Sequence, residues 1–279
     1  MNIKQLQPIV RNWLEEDDLS RNYFYTKSLP TDPVFLELKI KSDLILCGMD
    51  FFIAVFKELG VKENKFEIFN TYEGKKVIKG TVIKLSESIP LSVALTGERL
   101  ALNLLQHASS IATLTNQFSQ IVHPHGIKIL DTRKTTPGLR QLEKYAVRTG
   151  GGFNHRFGQT DTWMIKDNHK TCFGDLKSAV DFFVNQGVFY NNLVVEIHDL
   201  MELQTAKDLN IKHIMLDNFS PEDIKKAIKL KELGMTYEVS GGINLDNIHD
   251  YLISGVDAIS SSSLISSAPR VDISLKYSP

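Results

Sequence analysis

Six short apolar runs, each ending in polar residues and separated by helical stretches, follow Gly126: IKILD (127–131), TWMIKDN (162–168), LVVEI (193–197), HIMLDN (213–218), TYEVSGG (236–242) and VDAISS (256–261). Apolar runs this continuous suit strands buried on both faces, the usual state in a parallel sheet, and parallel strands need helical crossovers between them. Six such βα units predict an α/β barrel of six strands, closed or nearly closed. The working end of a barrel is the rim where the carboxyl ends of its strands meet. Asp131, Lys166, Glu196, Asp217 and Ser240 stand at or near those ends, so residues distant in sequence would surround one mouth.

The preceding part of the chain has a different rhythm. Ile3, Leu6, Ile9, Val10, Trp13 and Leu14 predict an amphipathic helix over 3–16 that ends in the acidic run Glu15–Asp18. Alternation in FLELKIKSDLIL predicts strands within 34–46, then a helix over 50–59 closing at Gly60, then short strands over 65–69 and 76–85. This is an α+β region without obvious chemistry. Thr96 is the expected N-cap of a long helix carrying Leu100, Leu104, Ala108, Ile111, Leu114, Phe118 and Ile121 at helical spacing. Arg99 would then oppose the helix dipole in the first turn, unless an anion or an acidic neighbour lies close. An exposed or ion-paired arginine is the alternative.

Charge is unevenly placed. The chain carries a formal net charge of -1, yet the segment 131–169 holds Arg133, Lys134, Arg140, Lys144, Arg148, Arg156 and Lys166, with His155 and His169, against Asp131, Glu143, Asp161 and Asp167. Such a local excess of cations calls for a local anion or a structural reason. The near-neutral total argues against a general nucleic-acid or membrane-surface binder, and the basic stretch lacks the aromatic interleaving of a nucleic-acid face. Cys47 and Cys172 form neither a disulfide framework nor a zinc motif. No run reaches 18 apolar residues, and the amino terminus turns acidic before any apolar run of signal-peptide length; a soluble cytoplasmic protein is expected.

The last two strands lead into SGGINLDNI (240–248) and SSSSLISS (260–267). Glycines and a helix start after late barrel strands suit a phosphate; a tight turn and a serine-rich loop without a ligand would read the same. Glu196 and Asp217 end consecutive strands, where they could share magnesium, stabilise a positive sugar transition state, or simply neutralise Arg133, Lys134 and Lys166. Lys166 at a strand end could also be a Schiff-base nucleophile. A phosphate, a second anion and carboxylates for a cation together suit transfer of a phosphorylated sugar to an anionic acceptor.

The motifs GERLALNLLQHASSIATLT, DTRKTTPGLRQLEKYAVRTGGGFNHRFG, IKDNH, IMLDN and SGGI occur in that order. In this order and spacing they resemble the quinolinate phosphoribosyltransferase family, densely over 96–270 and loosely over the first ninety residues. The resemblance implies an amino-terminal α+β open-sandwich domain (1–109, joined by the tail 268–279) and an incomplete six-stranded α/β barrel (110–267). It implies a homodimer or higher multiple with shared active sites. The implied reaction joins quinolinate to phosphoribosyl pyrophosphate with magnesium, releasing pyrophosphate and carbon dioxide and giving nicotinate mononucleotide for NAD synthesis. Glu196, Asp217, Lys134 and Lys166 would be the catalytic residues. Arg133, His155, Arg156 and Lys166 would hold the quinolinate carboxylates, with Thr132 among the binding residues and Arg99 reaching in from the partner subunit. Lys134, Glu196 and Asp217 would serve phosphoribosyl pyrophosphate and its magnesium. Ser240, Gly241, Gly242, Ser261, Ser262 and Ser263 would seat the 5-phosphate.

The chain departs from the family pattern in three regions. EEDDLSRNYFYT (15–26) stands where the family carries a glycine-containing motif, and Gln159 replaces a leucine. Ser262 and Ser266 occupy places where glycine and histidine are usual. Were positive φ required at 262, serine would cost about 1 kcal/mol or more. A molybdenum-transport-associated homologue shares the fold, but the lysine of IKDNH matches the phosphoribosyltransferase pattern.

Overall fold

The alternating stretch around FLELKI folds as β1 (Pro33–Ile40), with Val34, Leu36, Leu38 and Ile40 buried on one face. The structure is a computed structural model that describes residues 3–21, 23–186 and 193–278. It divides into two compact units, one of Met1–Asn116, Gly138–Gly151 and Ala268–Pro279, the other of Gln117–Pro137 and Gly152–Ser267.

In the first unit, α1 (Ile3–Glu16) buries Leu6, Val10 and Leu14, as its spacing predicts; α2 spans Tyr23–Ser28. The pair β2 (Leu44–Ile45) and β3 (Lys76–Val77) is antiparallel. Helix α3 (Met49–Glu58) packs on α1. Strand β1 pairs antiparallel with β4 (Val82–Lys84), with β5 (Ile89–Pro90) and with the tail strand Ile273–Ser278, where Leu275 lies opposite Leu38.

Two local expectations fail here. The segment expected as a strand over 65–69 is a 3-10 turn (Glu63–Phe66) running into α4 (Glu67–Asn70). The reason is aromatic: Phe66 and Phe69 would face opposite ways on a strand, whereas a helical turn brings both to α3. Their ring centroids lie 5.5 Å from Phe56 and 5.8 Å from Phe52, respectively. Nor is Thr96 an N-cap. Helix α5 (Leu91–Val122) starts directly after Pro90, and Thr96 Oγ1 donates to the Ser92 carbonyl one turn back at 2.7 Å. Arg99 therefore lies two turns in, beyond the reach of the dipole argument. It is exposed, with no ion pair among the described residues.

Helix α6 (Arg140–Thr149) ends where the backbone presses on α5. A Cβ at Gly150 would sit 2.4 Å from the Ala112 carbonyl oxygen and 2.7 Å from Thr115 Cβ. Since the first obstacle is backbone, Gly150→Ala is expected to cost about 2–3 kcal/mol and to lower Tm by roughly 5–10 °C. A thermal melt within 2 °C of the parent, on the order of a neutral change, would contradict this close packing.

In the second unit the six apolar runs become β6 (Lys128–Leu130), β7 (Trp163–Ile165), β8 (Leu193–Ile197), β9 (His213–Asp217), β10 (Thr236–Ser240) and β11 (Ala258–Ser260). All neighbouring pairs are parallel, in the hydrogen-bonded order β6-β11-β10-β9-β8-β7. Because β6 and β7 are the two ends of that order, the six-stranded sheet is an incomplete barrel. Ile129, Ile165, Val195, Leu216, Val239 and Ile259 are buried in its strands. Crossover helices α7 (Asp167–Phe173), α8 (Leu176–Gln186), α9 (Leu200–Asp208) and α10 (Pro221–Lys229) follow β7, β8 and β9. Asp199 caps α9 by accepting from the Met201 and Glu202 N–H groups at 2.8 Å, and Ser220 caps α10 ahead of Pro221. Among the described residues no helix is long and apolar enough to cross a membrane.

Candidate active site

Because strands in register end together, Asp217 on β9 lies opposite Ser240 on β10, while Glu196 on β8 lies opposite Met215, two residues earlier on β9. These ends and the loop after β6 enclose a cleft of about 270 Å³ within the second unit. Thr132, Arg133 and Lys134 line it from the loop after β6, His155 and Arg156 from the segment before β7, and Lys166 from the end of β7. Glu196, Asp217 and Ser240 complete the set of predicted residues that the barrel brings together. Arg99 and the glycine and serine turns are not among its lining residues.

Four cations, Arg133, Lys134, Arg156 and Lys166, thus face two carboxylates, Glu196 and Asp217. The Arg156 guanidinium is held below its ordinary pKa, first by burial and then by the neighbouring Arg133 cation, with Asp161 and Glu196 pulling the other way. Its Nη1 donates to the Thr162 carbonyl at 2.8 Å, which fixes the fork. Lys166 Nζ pairs with the buried Glu196 carboxylate, and Asp217 Oδ2 accepts from Asn218 Nδ2 at 2.7 Å. Arg140, Lys144 and Arg148 take another course: they belong to α6 in the first unit, where the fully buried Glu143 pairs with His107 at 2.9 Å. Helical geometry, not distance along the chain, sorts the basic stretch into two groups.

Several acids that look functional in the sequence are structural. Asp131 is fully buried and accepts from the His155 N–H at 2.8 Å and from Asn154 Nδ2 at 2.6 Å, fastening the GGFNHR segment to the end of β6. Asp161 closes the next turn by accepting from the Phe157 and Gly158 N–H groups at 2.6 and 2.8 Å. His169 Nδ1 accepts from the Lys166 N–H at the start of α7.

The turn after β10 needs glycine for packing. Gly241 has φ 105°, and a Cβ there would meet Asn218 Oδ1 at 2.3 Å. Ser261 and Ser263 both donate to the Ile243 carbonyl, at 2.5 and 3.1 Å, so their hydroxyls tie the loop after β11 to the loop after β10. Ser262 has φ -72°, entering the short helix α11 (Ser263–Ser266). The feared penalty for serine at 262 is therefore absent, because no positive φ is required.

Sequence reasoning missed Met164, Met215 and Ser260 in the cleft wall, and His198 and Glu238 beside it. Ser260, at the end of VDAIS, was legible as a strand-end residue; its hydroxyl is buried without a hydrogen-bond partner among the described residues. His198 Nε2 lies 2.6 Å from Asp167 Oδ1, and ligand atoms of Asp167, Glu196 and His198 all fall within 4.8 Å of one another. The oxygen donors Glu196 and Asp217 on adjacent strand ends fit a hard divalent cation that keeps several waters.

This geometry can be set beside known proteins. Residues 23–109 match the quinolinate phosphoribosyl transferase N-terminal domain, and residues 111–276 match the quinolinate phosphoribosyl transferase C-terminal domain. The chain belongs to the quinolinate phosphoribosyltransferase family. It is 36% identical over 279 residues to a probable nicotinate-nucleotide pyrophosphorylase (carboxylating) of Bacillus subtilis, covering 99% of this chain and 94% of that one. The human nicotinate-nucleotide pyrophosphorylase (carboxylating) is 34% identical over 277 residues, covering 97% and 91%. A crystal structure of NadC from Streptococcus pyogenes superposes with a TM-score of 0.87 at 34% identity, covering 99% and 98%. Most of EEDDLSRNYFYT lies ahead of the matched amino-terminal domain, which begins at residue 23. Asn22 within it falls outside the described residues.

Proposed function

We propose that this quinolinate phosphoribosyltransferase family member transfers the phosphoribosyl group of phosphoribosyl pyrophosphate to quinolinate in the cytoplasm. Carbon dioxide and pyrophosphate leave, and nicotinate mononucleotide is the product, a step of NAD synthesis. The observation that carries this reading is the single cleft in which Arg133, Lys134, Arg156 and Lys166 meet only two carboxylates, Glu196 and Asp217. Such a wall is short of negative charge, and a rigid dicarboxylate supplies it with bidentate geometry.

In this reading Arg133, His155, Arg156 and Lys166 hold the two quinolinate carboxylates and aim the ring nitrogen at the ribose carbon. Thr132 Oγ1 accepts from the Lys134 N–H at 3.0 Å, which shapes the loop that carries Lys134 toward the pyrophosphate. Glu196 and Asp217 would hold magnesium, which supplies neutralisation of the leaving pyrophosphate. As the glycosidic carbon loses pyrophosphate it gains positive character, and the buried Glu196 carboxylate stabilises that charge. Ribosylation leaves the ring nitrogen cationic; the electron pair of the breaking carbon–carboxylate bond flows into that ring as carbon dioxide departs, and a proton takes its place. Ser240, Gly241 and Gly242 with the backbone of 261–263 seat the 5-phosphate, the Ser261 and Ser263 hydroxyls being occupied with the Ile243 carbonyl.

The direct test is nicotinate mononucleotide formation from quinolinate, phosphoribosyl pyrophosphate and magnesium, with nicotinate as a comparison acceptor. Turnover with quinolinate alone is expected; turnover with nicotinate alone would move the chain to another acceptor. We infer a homodimer with shared sites, into which the exposed Arg99, without an ion pair among the described residues, reaches from the partner. Mixed Arg99→Ala and Glu196→Ala proteins should then regain up to about one quarter of parental activity, since random pairing yields one sound site in half the dimers. No recovery after proven subunit exchange would count against sharing.

A further inference from the structure

Glu238 has no part in the mechanism above, yet it stands directly behind the anion-binding wall. It sits two residues before Ser240 on β10, and residues two apart on a strand share a face, so Glu238 lies one layer below the rim that Ser240 helps to form. Its Oε2 lies 3.4 Å from His155 Nε2, and the two side chains are only 15% and 12% exposed. The other carboxylate oxygen, Oε1, is buried without a hydrogen-bond partner among the described residues.

The opposite edge of the imidazole is also engaged. His155 Nδ1 accepts from the backbone N–H of Arg156 at 2.7 Å, so Nδ1 presents a lone pair and the ring proton belongs on Nε2, where the carboxylate waits. The backbone of His155 is held separately by buried Asp131. One imidazole thus links a β10 carboxylate to the peptide unit that launches the Arg156 side chain.

We propose that Glu238 is a positioning residue for dicarboxylate binding: it holds His155 in the neutral Nε2–H tautomer, and His155 in turn fixes the Arg156 backbone from which the guanidinium enters the cleft. This rests on the proposed function for its substrate, but not for its structural part. The long 3.4 Å separation suits a ligand-free site whose hydrogen bonds tighten on binding. Placing the acceptor on a strand makes the setting rigid, whereas His155 and Arg156 lie outside the strands.

The test combines nitrogen NMR of histidine-labelled, ligand-free protein with steady-state kinetics. One of the eight histidine signals disappears in His155→Gln and identifies His155. In the parent it should show a protonated Nε2 and an unprotonated Nδ1. Glu238→Ala should turn this into a mixture of tautomers and raise the quinolinate KM about tenfold, with the phosphoribosyl pyrophosphate KM changed less than about twofold. Glu238→Gln, which keeps an oxygen acceptor, should restore the tautomer and most of the KM. An Nδ1–H tautomer or an imidazolium in the parent would overturn the proposal without any variant having to fold. So would Glu238→Ala protein with the parental tautomer, or with both KM values raised alike. Parent protein that shows the expected tautomer but makes no nicotinate mononucleotide would sink the function and leave the carboxylate–imidazole pair standing.

Discussion

Arg156→Ala is expected to raise the quinolinate KM by roughly two orders of magnitude, equivalent to about 3 kcal/mol, the usual scale for truncating one partner of a desolvated charge pair. The phosphoribosyl pyrophosphate KM should change less than about threefold, because the wall that Arg156 shares with Arg133 is assigned to the dicarboxylate. The free protein should hardly notice the loss. Arg156 is half-buried, repelled by Arg133, and anchored chiefly through the Thr162 carbonyl, so its removal relieves some repulsion while giving up one hydrogen bond. Initial rates over a quinolinate series at saturating phosphoribosyl pyrophosphate, and the converse series, measure the split. Equal increases for both substrates would take Arg156 out of the carboxylate clamp.

Glu196→Gln should act on turnover instead. The side chain keeps its shape and its place at the buried end of β8, but loses the charge that would face the developing sugar cation. Preorganised electrostatic groups of this kind are worth about 10²–10³ in kcat, and a loss of that size is expected with the quinolinate KM nearly unchanged. Lys166 would lose its partner, but its side chain is 44% exposed and water can solvate it, so a large stability loss is not expected. A variant that folds as the parent does and retains more than about one tenth of parental kcat would remove Glu196 from the chemistry and leave it as the counterion of Lys166.

Much of the site was legible because strand ends are legible. Lys166, Glu196, Asp217 and Ser240 each follow an apolar run, and parallel pairing gathers such ends whatever lies between them. Other readings failed where identical residue types had two possible partners. Asp131 stands at a strand end like Asp217, but spends its carboxylate on the His155 N–H and Asn154, whereas Asp217 faces the cleft. Arg148 and Arg156 are eight residues apart in one basic stretch, yet the end of α6 at Thr149 assigns them to different units.

By itself, the amino-acid sequence determined the parallel six-stranded sheet, the α+β character of the region before it and the residues available at the barrel mouth. These follow from periodicity and from where apolar runs stop, both of which are local properties of the chain. The tertiary structure decided which polar groups remain available for chemistry. Thr96 turns back on Ser92 because α5 starts at Leu91, Lys65–Phe69 becomes helical because Phe66 and Phe69 must both reach α3, and Ser262 takes an ordinary φ on entering α11. Glu238 acquires a role only because β10 passes behind His155. A hydrogen bond or ring contact is settled over a few ångströms of space between residues scores of positions apart, and local periodicity carries no record of that distance.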